Sequence, residues 1–508
     1  QLILDDFGIS LGGDGNSDGG NGMAAGVLAG GDDDQEAIRP MFDLAISKYH
    51  DQKIDVSIVG ETEFWFPINK QFGPIKIAQI GVRYEEEEFG VGNNYSASNV
   101  DHAPLLHRLS ILVDGEAEIA GFIAQVDDLE VNMPLLRLME FGEWRFDMAG
   151  LAVSFSNPSL EITGALRKAV VTDSNGNNPY IEYQGLCTIS AGTFALSAIG
   201  AFGRVPSGNG DEYVTCFVIA ALDTPLGGPP FFFVTGLMGG LGLNRQLLLP
   251  DVTAVPGSPF MTVMDGFGSN PMGALRAIQT TMPAEYGSFW FAVGLKFTTF
   301  QIVESKAVLF IKIDEGFTVG ILGMSSLSLP SKEFNVGYVE LAFLAYYSST
   351  ENLLWVEAQL TDASYLFTKS CRLTGGFALV NWFNTGEFLL SLGGYHPKFQ
   401  VPSYYPDVPR LGFNWQPINS LTIKGEAYFT ICSSAVMLGG GLSASYKSGC
   451  LSASFKVGMD VLVIFDPFYY NFSCYIGVSV RLKTWLGTIK GSLGADLEIE
   501  GPKMRGKA

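Results

Sequence analysis

The stretch LSASFKVGMD, residues 451–460, alternates apolar and polar side chains, and so does YNFSCYIGVSVRLK, residues 470–483. In the first segment Leu451 and Phe455 lie on one side of an extended chain, while serines and Lys456 lie on the other. A two-residue period is the signature of a β-strand with one apolar and one polar face. Short breaks rich in Gly, Ser and Pro separate such segments, which predicts a meander of antiparallel hairpins.

The alternation extends into the centre of the chain. Residues 339–347 and 354–361 repeat it, but both sides carry apolar residues there, which indicates strands covered on two sides. With 61 Gly in 508 residues, 12% aromatic and 16% charged residues, the composition suits many strands joined by tight turns. The predicted fold is therefore all-β: a large antiparallel meander of long strands, forming a sandwich, a trough or an open barrel, with one or two short helices.

The N-terminal part departs from this pattern. Residues 1–50 are interpreted as a Gly- and Asp-rich flexible linker followed by one short amphipathic helix over residues 35–49. A second short helix is predicted near Gly273–Thr281, after a loop over Gly257–Pro271.

The rest of the chain is predicted to be one large β domain over residues 51–508, with two lobes over about 51–250 and 283–508 as the alternative. The end Gly501-Pro502-Lys503-Met504 gives no obvious stop to the pattern, so the domain is expected to be truncated at its C-terminus.

The net charge of −21 excludes several partners. Nucleic acid and anionic membrane surfaces are expected to be repelled. Residues 224–244 carry no charge over a length that suits a membrane helix, but Pro229, Pro230 and several glycines break the segment. A buried strand-turn-strand is predicted there instead, so no transmembrane helix is expected.

Metal and cofactor signatures are missing from the sequence. None of the six cysteines forms a Cys-x-x-Cys pair, the four histidines lack metal-ligand spacing, and no phosphate-binding or dinucleotide-binding loop occurs. No metal and no cofactor are therefore predicted. The composition leaves the compartment open and favours an extracellular or surface-associated protein.

The densest group of distinctive side chains lies between residues 393 and 415. Its rings, prolines, histidine and charges are typical of a carbohydrate or ligand surface. The favoured alternative is a long ordered connection that packs its rings on a sheet and pairs Asp407 with Arg410. The candidate residues are Tyr395, His396, Tyr404, Tyr405, Asp407, Arg410 and Trp415.

Specific motifs occur from about Phe72 to the C-terminus. They are GGPPFFFVTG (227–236), GLNR (242–245), LTGGFA (373–378), GGYHP (393–397), YPDVPRLG (405–412), GEAYF (425–429) and GADL (494–497). With these motifs the sequence resembles a family of large bacterial and fungal proteins known only as a domain of unknown function. The resemblance implies no activity and no catalytic residue, because none is established for the family.

Several functions are compatible with these patterns. The leading hypothesis is a non-catalytic structural or assembly protein, whose exposed strand edges contact further copies or other protein chains. The alternative is a protein that binds or transports an apolar ligand, such as a lipid, in a β-trough. A polysaccharide-active enzyme is a further alternative, but the spacing of the acids nominates no carboxylate pair. An outer-membrane barrel ranks below the ligand binder because charges such as Glu340 and Glu357 interrupt the lipid faces.

Overall fold

The computed structural model describes most of the chain from residue 62 onward, together with three earlier strands. The described residues are 2–8, 41–48, 54–59, 62–88, 105–135, 140–173, 179–207, 212–266, 281–331 and 335–507. The structure is 73% strand and 4% helix, and its sheets are antiparallel, which confirms the predicted all-β class.

The chain divides into two compact units. Unit 1 comprises Gln1–Ala169 and Tyr183–Ala191, and unit 2 comprises Val170–Glu182 and Gly192–Ala508. The boundary therefore lies earlier in the chain than the predicted gap between residues 250 and 283.

Unit 1 contains two antiparallel sheets. Strands β1, β2 and β3 form a three-stranded sheet in that order. Strands β4 to β10 pair in succession, except that the short β8 pairs with the end of β7 and β9 pairs with the rest of it. The bounds are β1 Leu2–Gly8, β2 Met41–Lys48, β3 Ile54–Val59, β4 Glu63–Phe72, β5 Ile75–Glu88, β6 Leu105–Ile119, β7 Phe122–Pro134, a 3-10 helix Phe141–Glu143, β8 Arg145–Asp147, β9 Gly150–Asn157 and β10 Leu160–Thr172.

The helix predicted over residues 35–49 is wrong where the structure describes that segment, because Met41–Lys48 is strand β2. Phe42, Leu44 and Ile46 alternate with their neighbours, so this short window satisfies the strand period as well as the helical one. Hydrogen bonding to β1 and β3 selects the strand. Leu2–Gly8, interpreted as linker, is also a strand, while residues 9–40 and 49 lie outside the described part.

Unit 2 continues the meander through twenty strands, the first of them shared with unit 1, and one short α-helix in the described residues. The bounds are β11 Pro179–Ala191 (shared with unit 1), β12 Phe194–Pro206, β13 Glu212–Gly227, β14 Phe233–Arg245, a 3-10 helix Val252–Gly257, α1 Pro259–Met264, β15 Ala284–Thr299, β16 Val303–Ile313, β17 Phe317–Pro330, β18 Asn335–Ser348, β19 Leu353–Leu360, β20 Tyr365–Leu366, β21 Thr368–Thr374, β22 Gly376–Trp382, β23 Glu387–Leu392, β24 Leu411–Ile418, β25 Leu421–Cys432, β26 Ala435–Ser448, β27 Leu451–Ile464, β28 Tyr469–Thr484, β29 Gly487–Gly501 and β30 Arg505–Lys507.

The sheet of unit 2 forks in its middle. Strands β12 to β18 pair consecutively. One branch then runs β18-β19-β22-β23-β25 and the other runs β18-β20-β21-β24-β25, after which β25 to β30 pair consecutively again. The fork places β23 and β24, which are consecutive in sequence, on different branches of the sheet. The chain between these two strands leaves the sheet.

Helix α1 lies inside the segment that the sequence analysis assigned to a loop. Ser258 caps it by accepting a 3.4 Å hydrogen bond from the Met261 N–H, and Pro259 occupies the first turn, where no intrahelical N–H is needed. Phe260 packs edge-on against Trp290 of β15 at 5.8 Å. Residues 273–280 of the other predicted helix lie outside the described part.

The uncharged segment 224–244 is a strand-turn-strand, as predicted, formed by the end of β13, a turn at Pro229–Phe232 and β14. Its predicted burial is wrong in part, because Leu226, Phe231 and Leu241 are exposed. Among the described residues, no helix has the length and apolarity needed to cross a bilayer.

Candidate functional site

Residues 393–410, here called the aromatic connection, leave the sheet after β23 and return to it at β24. The ring of Tyr405 is buried and stacks on Trp382 at 5.4 Å, with an angle of 15° between the planes. Tyr404 meets the same indole edge-on at 5.4 Å and stays half exposed. Tyr395 lies 6.1 Å from Tyr405 and extends the aromatic group to Phe399.

Glu387, at the start of β23, anchors the two adjacent tyrosines. The Tyr405 hydroxyl donates to its carboxylate at 2.7 Å, and the Tyr404 hydroxyl donates at 2.9 Å. Burial, followed by the hydrogen bond to Glu387, raises the pKa of both phenols, so they remain protonated donors at neutral pH. The Glu387 carboxylate is therefore already hydrogen-bonded to two side chains of the protein.

Arg410 closes the base of the aromatic connection. Its guanidinium donates to the carbonyl of Gly393 at 2.9 Å and to the carbonyl of Tyr395, and it lies 3.9 Å above the ring of Tyr428. These contacts tie the two ends of the connection together. Arg410 makes them in place of the pairing with Asp407 that the sequence suggests, and Asp407 is exposed.

His396 and Trp415 contribute differently from the tyrosines. His396 is 3% exposed, and its Nδ1 accepts the Lys398 N–H at 3.0 Å. Burial lowers the pKa of His396, so the imidazole is neutral. Trp415 lies on β24, with its ring 6.3 Å from Phe367. The structure therefore brings together the three tyrosines of the predicted site, with Arg410 and His396 at the base of the connection, but it does not bring Asp407 or Trp415 into the aromatic group.

The opposite face of the unit 2 sheet, here called the apolar face, contains the apolar sides predicted from the alternation, but the sequence did not predict that they are exposed. Residues directly opposite in an antiparallel pair point to the same side, so Val218, Leu241, Phe291 and Ile311 form one row across β13 to β16. Each of them is more than 36% exposed. Further exposed side chains on this face are Val293, Leu309, Ile321, Phe388, Leu392, Phe429, Leu438, Leu442, Met459, Ile476, Val478, Leu493 and Leu497.

The apolar face extends over the sheet from β12 to β29, with exposed side chains on β12 to β17 and again on β23 and β25 to β29. Between them, on β18, β19 and β22, the side chains of this face, such as Phe343 and Val356, are partly buried. Fifteen strands lie side by side from β12 to β29 along either branch of the fork, which at a spacing of ~4.8 Å corresponds to roughly 65 Å. Soluble monomers rarely expose contiguous apolar patches larger than a few hundred Å². The apolar face is therefore the surface of unit 2 that calls for a functional explanation.

A groove of about 620 Å³ marks the apolar face at its C-terminal strands. It lies over Gly440, where β26 has no side chain, and the apolar side chains around it come from β26 to β29. They are Leu442, Val457, Met459, Cys474, Ile476, Ala495 and Leu497. The volume lies within the ~300–1,000 Å³ range of ligand pockets.

A comparison with family models matches residues 68–508 to a family of unknown function, DUF6603. The chain belongs to this family. A search of curated proteins finds no match.

In this DUF6603 chain, three of the sequence motifs meet at the base of the aromatic connection. Gly394 has φ +83°, and a Cβ there would lie 2.4 Å from the carbonyl oxygen of Val408. A Cβ on Gly376 would lie 2.5 Å from the ring of Pro409. LTGGFA and GGYHP thus place glycines where Val408 and Pro409 of YPDVPRLG come too close to leave room for a side chain.

The GLNR motif forms a second buried node of the DUF6603 chain. Arg245 and Glu182 form an ion pair, with both side chains 1% exposed, and the Tyr180 hydroxyl donates to Glu182 at 2.9 Å. Arg245 also donates to the carbonyl of Met282 at 2.7 Å. These bonds join β11, β14 and the chain before β15. Arg245 and Glu182 therefore stabilise the fold.

Unit 1 holds one group of acids close enough to share a cation. Carboxylate oxygens of Asp114, Asp127 and Asp128 lie within 4.8 Å of one another. Burial and the two neighbouring carboxylates raise the pKa of Asp128. The protein partly satisfies the cluster, because the Asp128 N–H donates to Asp114 at 2.7 Å and Gln79 donates to the same carboxylate.

Proposed function

We propose that this DUF6603 chain binds an apolar ligand with acyl chains, such as a lipid or fatty acid, along the apolar face of unit 2. The observation that carries the proposal is the exposure of large apolar side chains in cross-strand rows on one face of β12 to β17, and again on the same face of β23 and β25 to β29. Removing such side chains from water favours binding by ~25 cal/mol for each Å² buried. An extended acyl chain suits this face better than a compact ligand, because the rows are long and shallow.

The groove over Gly440 is the place where an acyl chain gains most contact. Its walls come from four neighbouring strands, and Ile476 at its centre is 50% exposed. The other face of the same strands carries Ser454, Lys456, Ser479 and Ser492. An amphipathic ligand therefore has an apolar side to occupy, while the polar side and the net charge of −21 keep the protein soluble.

The test is to analyse an organic extract of the purified chain by mass spectrometry and to titrate the delipidated chain with a fluorescent fatty acid. The fluorescent fatty acid is expected to bind saturably, with at least about one molecule bound per chain. Ile476→Glu places a charge in the groove and should weaken binding at least tenfold. Ser492→Glu adds the same charge to the exposed polar face of the adjacent strand and should leave the affinity unchanged.

Two outcomes contradict the proposal. One is a chain that yields no extractable lipid and binds the probe without saturation. The other is equal affinity of both variants for the probe.

Self-assembly is the second candidate, favoured by the edge of β29. Among the described residues, Gly487–Leu497 pair only with β28, while β30 covers no more than Glu498–Glu500. An open, exposed strand edge is a template for another chain. Light scattering separates the candidates, because a regular multimer free of lipid supports assembly and a lipid-loaded monomer supports ligand binding.

Catalysis gains no comparable support. Glu387 accepts hydrogen bonds from Tyr404 and Tyr405, and Glu357 accepts one from the Trp355 Nε1–H at 2.9 Å. The absence of enzymatic activity stays a prediction.

A further inference from the structure

The end of the unit 2 sheet formed by the hairpins β26–β27 and β28–β29 has a charge opposite to that of the whole protein. Residues 442–459 and 476–495 contain five basic residues and no Asp or Glu, although the chain has 52 acids and 31 lysines and arginines. The basic residues are Lys447, Lys456, Arg481, Lys483 and Lys490, and all five are exposed. Together with Trp485 and Leu486 they are called the cationic tip.

The strand register gathers these charges on one face. Lys447 lies opposite Ser452, Ser452 lies opposite Arg481, and Arg481 lies opposite Lys490. Like charges directly opposite each other destabilise a sheet. An anion bound over this row removes that repulsion, so the register itself points to an anionic partner.

The turn of the β28–β29 hairpin supplies an apolar anchor beside the charges. Trp485 is 91% exposed and Leu486 is 78% exposed, at the extreme end of the strands. Leu482 and Ile489 form a cross-strand pair behind them on the apolar face. Exposed Trp beside Lys and Arg is the combination found where proteins enter the membrane interface.

The acids on β27 and β29 lie away from Arg481, Lys483 and Lys490, whereas Lys456 has Glu426 lining the same pocket and Asp460 four residues further along β27. Along β29 the first acid after Lys490 is Asp496, six residues or about 20 Å further on. This is about twice the Debye length at 0.1 M salt. The negative charge elsewhere repels an anionic surface and so orients the protein with the cationic tip towards it.

We propose that the cationic tip docks on a membrane surface with anionic headgroups, inserting Trp485 and Leu486 between them. The two hairpins that form the tip also form most of the groove over Gly440, so docking brings the end of the apolar face to the bilayer. Transfer of lipid along that route rests on the proposed function, whereas docking itself does not. Duplex nucleic acid is the competing anion, but it offers no apolar layer for Trp485 and Leu486.

The test is flotation of the full chain with vesicles of phosphatidylcholine alone or of phosphatidylcholine mixed with phosphatidylserine, an anionic lipid of the cytoplasmic leaflet. Binding is expected only with phosphatidylserine and should weaken as salt rises. The triple variant Arg481→Ser, Lys483→Ser, Lys490→Ser should bind about a hundredfold more weakly. The matched control Lys76→Ser, Arg204→Ser, Lys369→Ser removes the same charge from exposed positions outside the tip and should bind as the wild type does.

Quenching by brominated lipids provides a readout of insertion. The quenching should fall in Trp485→Phe, while the circular dichroism spectrum stays unchanged. Equal binding of the two triple variants, equal binding to neutral vesicles, or tighter binding to a 20-base-pair duplex than to vesicles would overturn the proposal. Vesicle binding by a chain that takes up no fatty acid would uphold docking and reject the proposed ligand.

Discussion

The central strands of unit 2 and its C-terminal hairpins are built from the same alternating sequence, yet only the former are covered. Over β22, β23 and β25 the aromatic connection buries Val380, Leu389 and Cys432 to 0% exposure. On β28 and β29 neither face has a comparable cover, and Ile476, Val480 and Leu493 remain 44–81% exposed. Two differences account for this: a connection is inserted between β23 and β24, and the central strands carry apolar residues on both faces whereas β28 and β29 have one polar face.

This contrast separates residues that hold the molecule together from residues left available for partners. In the covered region, glycines, Arg410 and Glu387 are all engaged by other parts of the chain. In the bare region, lysines and large apolar side chains face solvent. Substitutions in the first region should therefore change stability, and substitutions in the second should change binding.

Substituting one glycine by alanine in each region should give the largest difference in the free energy of unfolding. Gly394→Ala forces a Cβ to within 2.4 Å of the Val408 carbonyl at φ +83°, which should lower the free energy of unfolding by about 3–5 kcal/mol. Gly477→Ala on β28 meets nothing within 4 Å and should change it by less than about 1 kcal/mol. Urea denaturation of both variants measures the difference, and equal losses would show that the aromatic connection is no more constrained than a bare strand.

Substituting one arginine by alanine in each region should give a smaller difference in the free energy of unfolding. Arg410→Ala deletes two hydrogen bonds to carbonyls and the contact with Tyr428, at an expected cost of about 2–3 kcal/mol. Arg481→Ala in the cationic tip should cost less than about 0.5 kcal/mol. A loss on Arg481→Ala as large as that on Arg410→Ala would assign the tip a structural role.

The strands of both regions were predictable, because a two-residue period sustained over ten residues has few competing interpretations. LSASFKVGMD and YNFSCYIGVSVRLK fall in β27 and β28 with the predicted residues on each face. Residues 41–48 were mispredicted as a helix because eight residues fit both periods and hydrogen bonds to distant strands made the choice.

The candidate site was predictable only in part. Its rings were found because they are dense in sequence, but Trp382 and Glu387, which hold Tyr404 and Tyr405, lie on a hairpin outside that stretch. The exposure of the apolar face was not predicted, because alternation identifies an apolar side but does not say whether another part of the chain covers it. The local charge of the cationic tip is readable from residues 442–495, but the net charge of −21 conceals it.

The smallest expected effect concerns Glu357, a half-buried carboxyl on the covered side of β19. Burial raises its pKa above the ordinary value of 4.5, and nearby Asp251 and Asp407 raise it further, against the opposing hydrogen bond from Trp355. The unfolded chain therefore binds fewer protons at this group than the folded chain above pH 4.5, so its contribution to stability is present below pH 4.5 and is lost as the pH rises through the folded pKa. Glu357→Gln keeps an acceptor for Trp355 and removes the charge, so its melting temperature should exceed that of the wild type at pH 7 and match it near pH 4.

Glu161→Gln, an exposed control, should change the melting temperature at neither pH. A Glu357→Gln protein that is less stable than the wild type at pH 7 would mean that the charge of Glu357 stabilises the packing of the aromatic connection.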